Sequence, residues 1–264
     1  MIDSAGIWQD IVAIRERGPL VHNITNFVVM DFTANALLAL GASPVMAHAP
    51  QEVAEMAALA GAIVVNMGTL DERWIESMFA ALAAARQHNK PVVFDPVGAG
   101  ATAYRTETAQ RLLHAGGISI VRGNASEIAA LAGAGGRTKG VDSLDQSLHV
   151  ADAAANLLTS CAAVVISGAQ DVVVGRRERC ILNNGCALMT RVTGMGCTAT
   201  ALTGAFLAVQ PDPVRAGAHA MAVMGIAGEM AGLQSGGPGS LRVHFLDALH
   251  NLDESILASS LRVD

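Results

Sequence analysis

The sequence predicts an α/β protein in which a central, mostly parallel sheet is flanked by helices on both faces and carries an antiparallel edge, all in one domain spanning residues 1–264. Three observations predict it. Short β-branched runs bounded by glycine or proline recur with helix-length segments between them. Those runs are apolar at every position rather than at alternate ones, as in strands covered on both faces. After Gly168 the runs become closely spaced, which is hairpin rather than crossover spacing. A chain of 264 residues lies near the size at which single cores stop growing, and no linker, low-complexity tract or internal repeat divides it.

The elements follow in chain order. Helical segments at 34–40 and 52–59 lead to a strand at 62–68, and a helix at 71–88 to a strand at 91–96. A helix at 106–114 and a strand at 118–124 continue the alternation, followed by helices at 125–132 and 144–160 and a strand at 163–168. Short strands at 171–175, 179–183 and 188–192 supply the antiparallel edge. Helices at 197–209 and 212–234 follow, and HFLDALHNLDESILASSL closes the chain helically. The glycine-rich residues 133–142 admit two readings, a mobile loop over a nucleotide or a plain surface connection.

Composition excludes several classes of function. The chain is 52% hydrophobic and 15% charged, against roughly 25% charged in an average soluble domain, so contacts between subunits are expected to cover apolar surface. A net charge of -6 with only two lysines, Lys90 and Lys139, gives no electrostatic footprint for nucleic acid. The apolar tract at 216–233 holds His219 and Glu229 and reads as a packed helix rather than a membrane span. Asp3, Asp10 and Glu16 do not suit a signal peptide, and four cysteines without CxxC spacing suit reduced thiols, so a cytoplasmic location is expected.

In open α/β sheets the ligand lies beyond the carboxyl ends of the strands. Residues at those ends are Gly68, Asp95, Arg122, Asn124 through Glu127, Ser167 and the turn Thr193-Gly194-Met195-Gly196-Cys197. Each has a plainer reading when taken singly. Asp95 before Pro96 suits a turn, and Asn124 with Glu127 three residues on suits a helix capping box. The sequence Gly194-Met195-Gly196-Cys197-Thr198-Ala199 formally satisfies GxGxxG/A, but a helix rather than a second strand follows it, so a dinucleotide βαβ unit cannot be completed. An anion-binding turn at a helix N-terminus remains. On these residues alone a kinase, an oxidoreductase, a non-catalytic binding protein and an assembly subunit all stay open.

Longer motifs narrow the field. PLVHNITNFVVMDFTANALLALGASPVM, NMGTL, FDPVGAGAT, RGNASEI, the GMGC turn and GPGS followed by HFLDAL together resemble the hydroxyethylthiazole kinase family across nearly the whole chain. The hydroxymethylpyrimidine and pyridoxal kinases share the fold this implies, without the first and last of those segments. The resemblance implies a ribokinase-like kinase that phosphorylates 4-methyl-5-(2-hydroxyethyl)thiazole with ATP and Mg2+ in thiamine phosphate synthesis. By the same resemblance, Arg122, Ser167 and Gly196 meet the nucleotide, and Asp95 and Glu127 hold the metal–nucleotide complex. Met46 and Gly194, with Asn26, Val28 and Gly68 nearby, are expected to line the thiazole pocket. A homotrimer with active sites between subunits is implied as well, with His22, Asn23 and Asn26 at the boundary. Cys197 stands where related kinases carry an aspartate base. A helix N-terminus should lower its pKa and bound ATP should oppose that, leaving a neutral thiol and a poor base.

Overall fold

The structure is a computed structural model that describes residues 2–134 and 150–264. Eight strands form one sheet in the order β2-β1-β3-β4-β5-β6-β7-β8. They are β1 Leu20–Ile24, β2 Ser43–Val45, β3 Ala62–Asn66, β4 Val92–Asp95, β5 Ile120–Asn124, β6 Ala163–Ser167, β7 Asp171–Gly175 and β8 Arg179–Leu182. The first six pair in parallel, and β7 and β8 add antiparallel pairings at one edge. The fold class read from the sequence is therefore the observed one.

The period-2 geometry of the strands divides the core into two layers. Val64, Val93, Ile120 and Val165 point into one layer, where the helices Ser4–Arg17, Met30–Leu40, Met195–Leu207, Pro213–Gln234 and Pro238–Asn251 pack. Ile63, Val65, Phe94, Val121 and Ile166 point into the other, against Val53–Leu59, Glu72–Gln87, Ala103–Ala115 and Ala125–Leu131. Burial on both faces explains why these strands read as continuous apolar runs.

Several elements differ from expectation. β1 and β2 carry His22, Asn23 and Pro44 in very short runs, which hides them from a periodicity argument. Pro44 is tolerated because β2 is an edge strand. The Ser4–Arg17 helix has readable ends, with Asp3 accepting from the Gly6 N–H and Gly18 stopping it at φ 52°. The expected strand at 188–192 is a 3-10 helix, Ala187–Arg191. Met189 packs directly onto Gly228, where any side chain would collide with its sulfur, so this segment lies on the Pro213–Gln234 helix instead of extending the sheet. What precedes the Gly194 turn is accordingly not a strand. Residues 155–159 form a 3-10 helix, whereas part of the helix expected at 144–160 and most of the glycine-rich stretch at 133–142 lie outside the described residues. Among the described residues, no helix is long and apolar enough to cross a membrane.

The chain passes from β1 outward to β2 and then back across β1 to β3. The crevice at a topological switch is where open α/β sheets bind ligands. Asn26 and Asn66 stand on its two walls.

Candidate active site

Because six strands run parallel, their carboxyl ends make one rim, and the strand order ranks its residues. Met46 follows β2, Asn26 follows β1, Asn66 ends β3 with Gly68 just beyond it, Asp95 ends β4, Arg122 lies in β5 and Ser167 ends β6. The Met195–Leu207 helix packs over β1, β3, β4 and β5, which sets its N-terminal turn at the middle of the rim. Gly194 has φ 86°, in the left-handed region, and a side chain there would run into Val29. Gly196 lies against the Arg122 guanidinium, 2.9 Å from Nη1 to the position a Cβ would take.

Asp95 is buried, and Asn66 Nδ2 at 2.8 Å and Thr200 Oγ1 at 2.7 Å both donate to its Oδ2. Burial raises its pKa to about 6, partly offset by the Arg122 charge and reinforced by repulsion from Glu127. Glu127 completes the capping box expected from the sequence: its Oε2 accepts from the Asn124 N–H and Asn124 Oδ1 accepts from the Glu127 N–H, each at 2.9 Å. Its Oε1 also accepts from the Gly98 N–H at 2.9 Å, tying the loop after β4 to the helix after β5. The plainer reading of Glu127 is thus present, together with a carboxylate near enough to Asp95 to repel it.

On the β5–β6 side of the rim, Arg122 Nη2 donates to Ser167 Oγ at 2.6 Å, and Arg122 Nε is buried without a hydrogen-bond partner. Both residues line a cavity of about 570 Å3 between the β6–β7 turn, the Ala187–Arg191 segment and the Pro213–Gln234 helix. Its wall is mostly apolar, with Met189, Met195, Met221 and Met224, and Arg122, Ser167 and Asp171 are among its polar lining. Gly196 is part of the same wall.

Toward β1, Asn26 Nδ2 reaches Asn66 Oδ1 at 2.9 Å and Cys197 Sγ at 3.4 Å. The Cys197 pKa is raised to about 11, first by burial and then by the Asp95 charge, with the nearby carboxamides of Asn66 and Asn26 working the other way. Burial and the Asp95 charge therefore overturn the lowering expected of a thiol at a helix N-terminus. Gly68 sits hard against Asn26, and a side chain there would overlap the carboxamide. Met46 is half-buried, whereas Val28 is 71% exposed beside Phe27 at 59%. Phe27, Trp74 and His48 form an aromatic cluster in which His48 stacks on Trp74 at 4.1 Å.

Four residues of this site escape a reading of strand ends. Asn66 and Thr200 hold Asp95, but one is the last residue of an apolar strand and the other a threonine inside a helix. Arg105 ties the loops after β3 and β4 by donating to the carbonyls of Met67, Val97 and Gly68 at 2.8, 2.8 and 2.9 Å. It reads in sequence as an ordinary helical surface arginine. Asp171 begins β7, accepts from the Gly168 N–H at 3.0 Å and lines the cavity. Burial raises its pKa to about 7 against the pull of Arg122.

This geometry can be set beside known proteins. Residues 11–255 match the sequence pattern of the Hydroxyethylthiazole kinase family. The chain belongs to that family. It is 55% identical over 258 residues to a hydroxyethylthiazole kinase of Syntrophus aciditrophicus, covering 97% of this chain and 96% of the relative. One from Nitratidesulfovibrio vulgaris is 52% identical over 254 residues, covering 96% and 95%. The solved structure of the hydroxyethylthiazole kinase protein from Pyrococcus horikoshii OT3 superposes with a TM-score of 0.90 at 44% identity over 98% of both chains. A Staphylococcus aureus pyridoxal kinase, at 18% identity and a TM-score of 0.62 over 80% of this chain and 88% of its own, shares the fold alone.

Proposed function

We propose that this protein transfers the γ-phosphoryl group of ATP to the primary hydroxyl of 4-methyl-5-(2-hydroxyethyl)thiazole, yielding the phosphate ester and ADP for thiamine phosphate synthesis. One observation carries the reading. The Gly194–Cys197 turn, a helix N-terminus, stands between the Arg122–Ser167 pair at a large, mostly apolar cavity and the Asn26–Asn66 crevice at the topological switch. A nucleotide ring suits the methionine-lined cavity, phosphates suit the turn and Arg122, and a small apolar ring suits the crevice.

In the reaction, the alcohol oxygen forms a bond to the γ-phosphorus as the bond from that phosphorus to the β–γ bridging oxygen breaks. The hydroxyl proton leaves late. Such a transfer needs positioning and charge stabilisation more than covalent help from the protein. Arg122, Ser167 Oγ and the backbone N–H groups at Gly194–Cys197 supply donors for the phosphates. Cys197, a neutral thiol, is a poor base, so the anion-binding turn contributes most of the rate.

Asp95 and Glu127 would hold Mg2+. The donor set fits, because Mg2+ takes one or two protein carboxylates and completes its shell with phosphates and water. Repulsion between the two carboxylates is also the imbalance that a cation offsets. When bound, the ion would neutralise charge on the β- and γ-phosphates. Arg122 and Ser167 would remain the direct protein contacts to the nucleotide, with Gly196 allowing its close approach.

Met46, Gly194, Asn26, Val28 and Gly68 would line the thiazole pocket. We assign the reaction to a single domain, residues 1–264, acting in the cytoplasm as a homotrimer. Exposure of Phe27 and Val28 next to Asn26 supports completion of the pocket by a neighbouring subunit. Incubating purified protein with the thiazole alcohol, ATP and magnesium should form ester and ADP one to one. ADP release independent of the alcohol, or preferred use of pyridoxal or hydroxymethylpyrimidine, would overturn the reading.

A further inference from the structure

Asn66 ends an otherwise apolar strand and is fully buried, and its hydrogen bonds leave no choice in how its carboxamide is turned. The Gly68 N–H can only donate, so the atom it meets at 2.9 Å is Oδ1. Nδ2 then faces Asp95 Oδ2, which accepts at 2.8 Å. The same Oδ1 lies 2.9 Å from Asn26, so the Asn26 atom there is Nδ2. A second hydrogen on that nitrogen points to Cys197 Sγ at 3.4 Å. Sulfur is therefore an acceptor toward Asn26, and its own S–H is left for a different partner.

We propose that Asn66 is a positioning residue: acting through Asn26, it orients the Cys197 thiol so that S–H donates to the oxygen of the substrate alcohol. The inference rests on the thiazole alcohol being the substrate and adds a residue that touches neither reactant. Gly68 belongs to the same device, since it supplies the one donor of fixed sense and its missing side chain lets Asn26 approach. An unanchored Asn26 could turn its carbonyl toward sulfur, and the S–H would then bond to Asn26 instead of the alcohol.

The test is calorimetric titration of the full chain with the thiazole alcohol, without nucleotide or magnesium, for wild type, Asn26→Ala, Asn66→Ala and the double variant. Asn66→Ala should weaken binding about three- to fivefold, since a thiol is a weak donor and its bond lies toward the lower end of the usual range. The double variant should bind within about twofold of Asn26→Ala, because residues acting in series do not add. With ATP and magnesium present, kcat should fall alongside while the KM for ATP changes little. Should Asn66→Ala fail to fold, Asn66→Ser, which keeps a hydroxyl in the buried site, carries the same comparison. Wild-type affinity in the Asn66 variants, or losses that add in the double variant, would overturn the positioning role. Failure of the wild type to bind the alcohol would instead refute the substrate reading, and this inference with it.

Discussion

Arg122 and Ser167 meet across neighbouring strands, the guanidinium donating to the hydroxyl at 2.6 Å, at the mouth of the cavity that suits a nucleotide. A bond formed inside the protein in this way holds both groups in place, and under the proposed reading phosphate oxygens would replace it. Arg122→Ala should raise the KM for ATP roughly 10–100-fold, from the 1.5–3 kcal/mol typical of a charged hydrogen bond. Ser167→Ala should raise it about 2–10-fold and Ser167→Thr should restore it, as steady-state kinetics at saturating alcohol will decide.

Asp95→Asn and Glu127→Gln should each weaken magnesium-dependent turnover far more than they weaken binding of the thiazole alcohol. The two differ in stability. Asp95→Asn replaces a carboxyl whose burial already costs free energy, whereas Glu127→Gln puts an amide N–H2 against the Gly98 or Asn124 N–H and should lose about 1–2 kcal/mol. Magnesium titration of the rate, with denaturant melts of both variants, checks the pair. Loss of alcohol affinity with unchanged metal dependence would exclude the assignment.

Cys197→Ala should lower kcat and weaken binding of the alcohol severalfold, since it removes the S–H that donates to the hydroxyl. Cys197→Asp should keep or raise kcat, since a general base is typically worth about 10²–10⁴-fold and the thiol supplies little of it. The surroundings that push the thiol up to about 11, burial and the Asp95 charge, would also push up the new carboxyl. Its rate should therefore climb with pH as the carboxyl ionises. An alanine variant as fast as wild type would leave Cys197 no part in the chemistry.

Asp171, with a pKa near 7 in the folded protein against an ordinary value of 3.8, binds a proton that the unfolded chain releases. Its contribution to stability is present below about pH 4 and is lost as pH rises toward 7. Asp171→Asn removes that loss and keeps an acceptor for the Gly168 N–H. The variant should match wild type near pH 3.5 and exceed it by roughly 1–3 kcal/mol at pH 8. Urea melts at the two pH values measure the difference, and equal gains at both would contradict it.

Sedimentation at micromolar concentration should find a trimer. Phe27→Ser with Val28→Ser, at two exposed apolar side chains outside the folded core, should shift it toward monomer and reduce turnover together. A fully active wild-type monomer would refute the shared site.

The sequence by itself determined the layers and the register of chemistry along them. Continuous apolar runs such as Ala62–Asn66 and Ala163–Ser167 are two-faced strands wherever they occur, and glycine or proline at their ends marks where side chains leave the core. That local information located Asp95, Ser167 and the Gly194 turn at strand or helix ends, whereas Arg122 lies inside β5 rather than at its end. It left Glu127 with two readings, which the structure keeps side by side: a cap for its helix and a charge beside Asp95.

What only the tertiary structure decided is which residues at those ends touch. Asn66, Thr200, Arg105 and Asp171 act through partners 29, 105, 38 and three positions away, and apart from the last such pairings have no signature in a local pattern. The same holds for the segment at 187–191, whose composition suits a strand but whose Met189 is captured by the bare surface of Gly228 on another element. Cys197 shows the physical reason most directly. Its place at a helix N-terminus is written in the chain and argues for a low pKa, but solvent exclusion and the charge of Asp95 come from strands brought in by folding, and in a buried site they prevail.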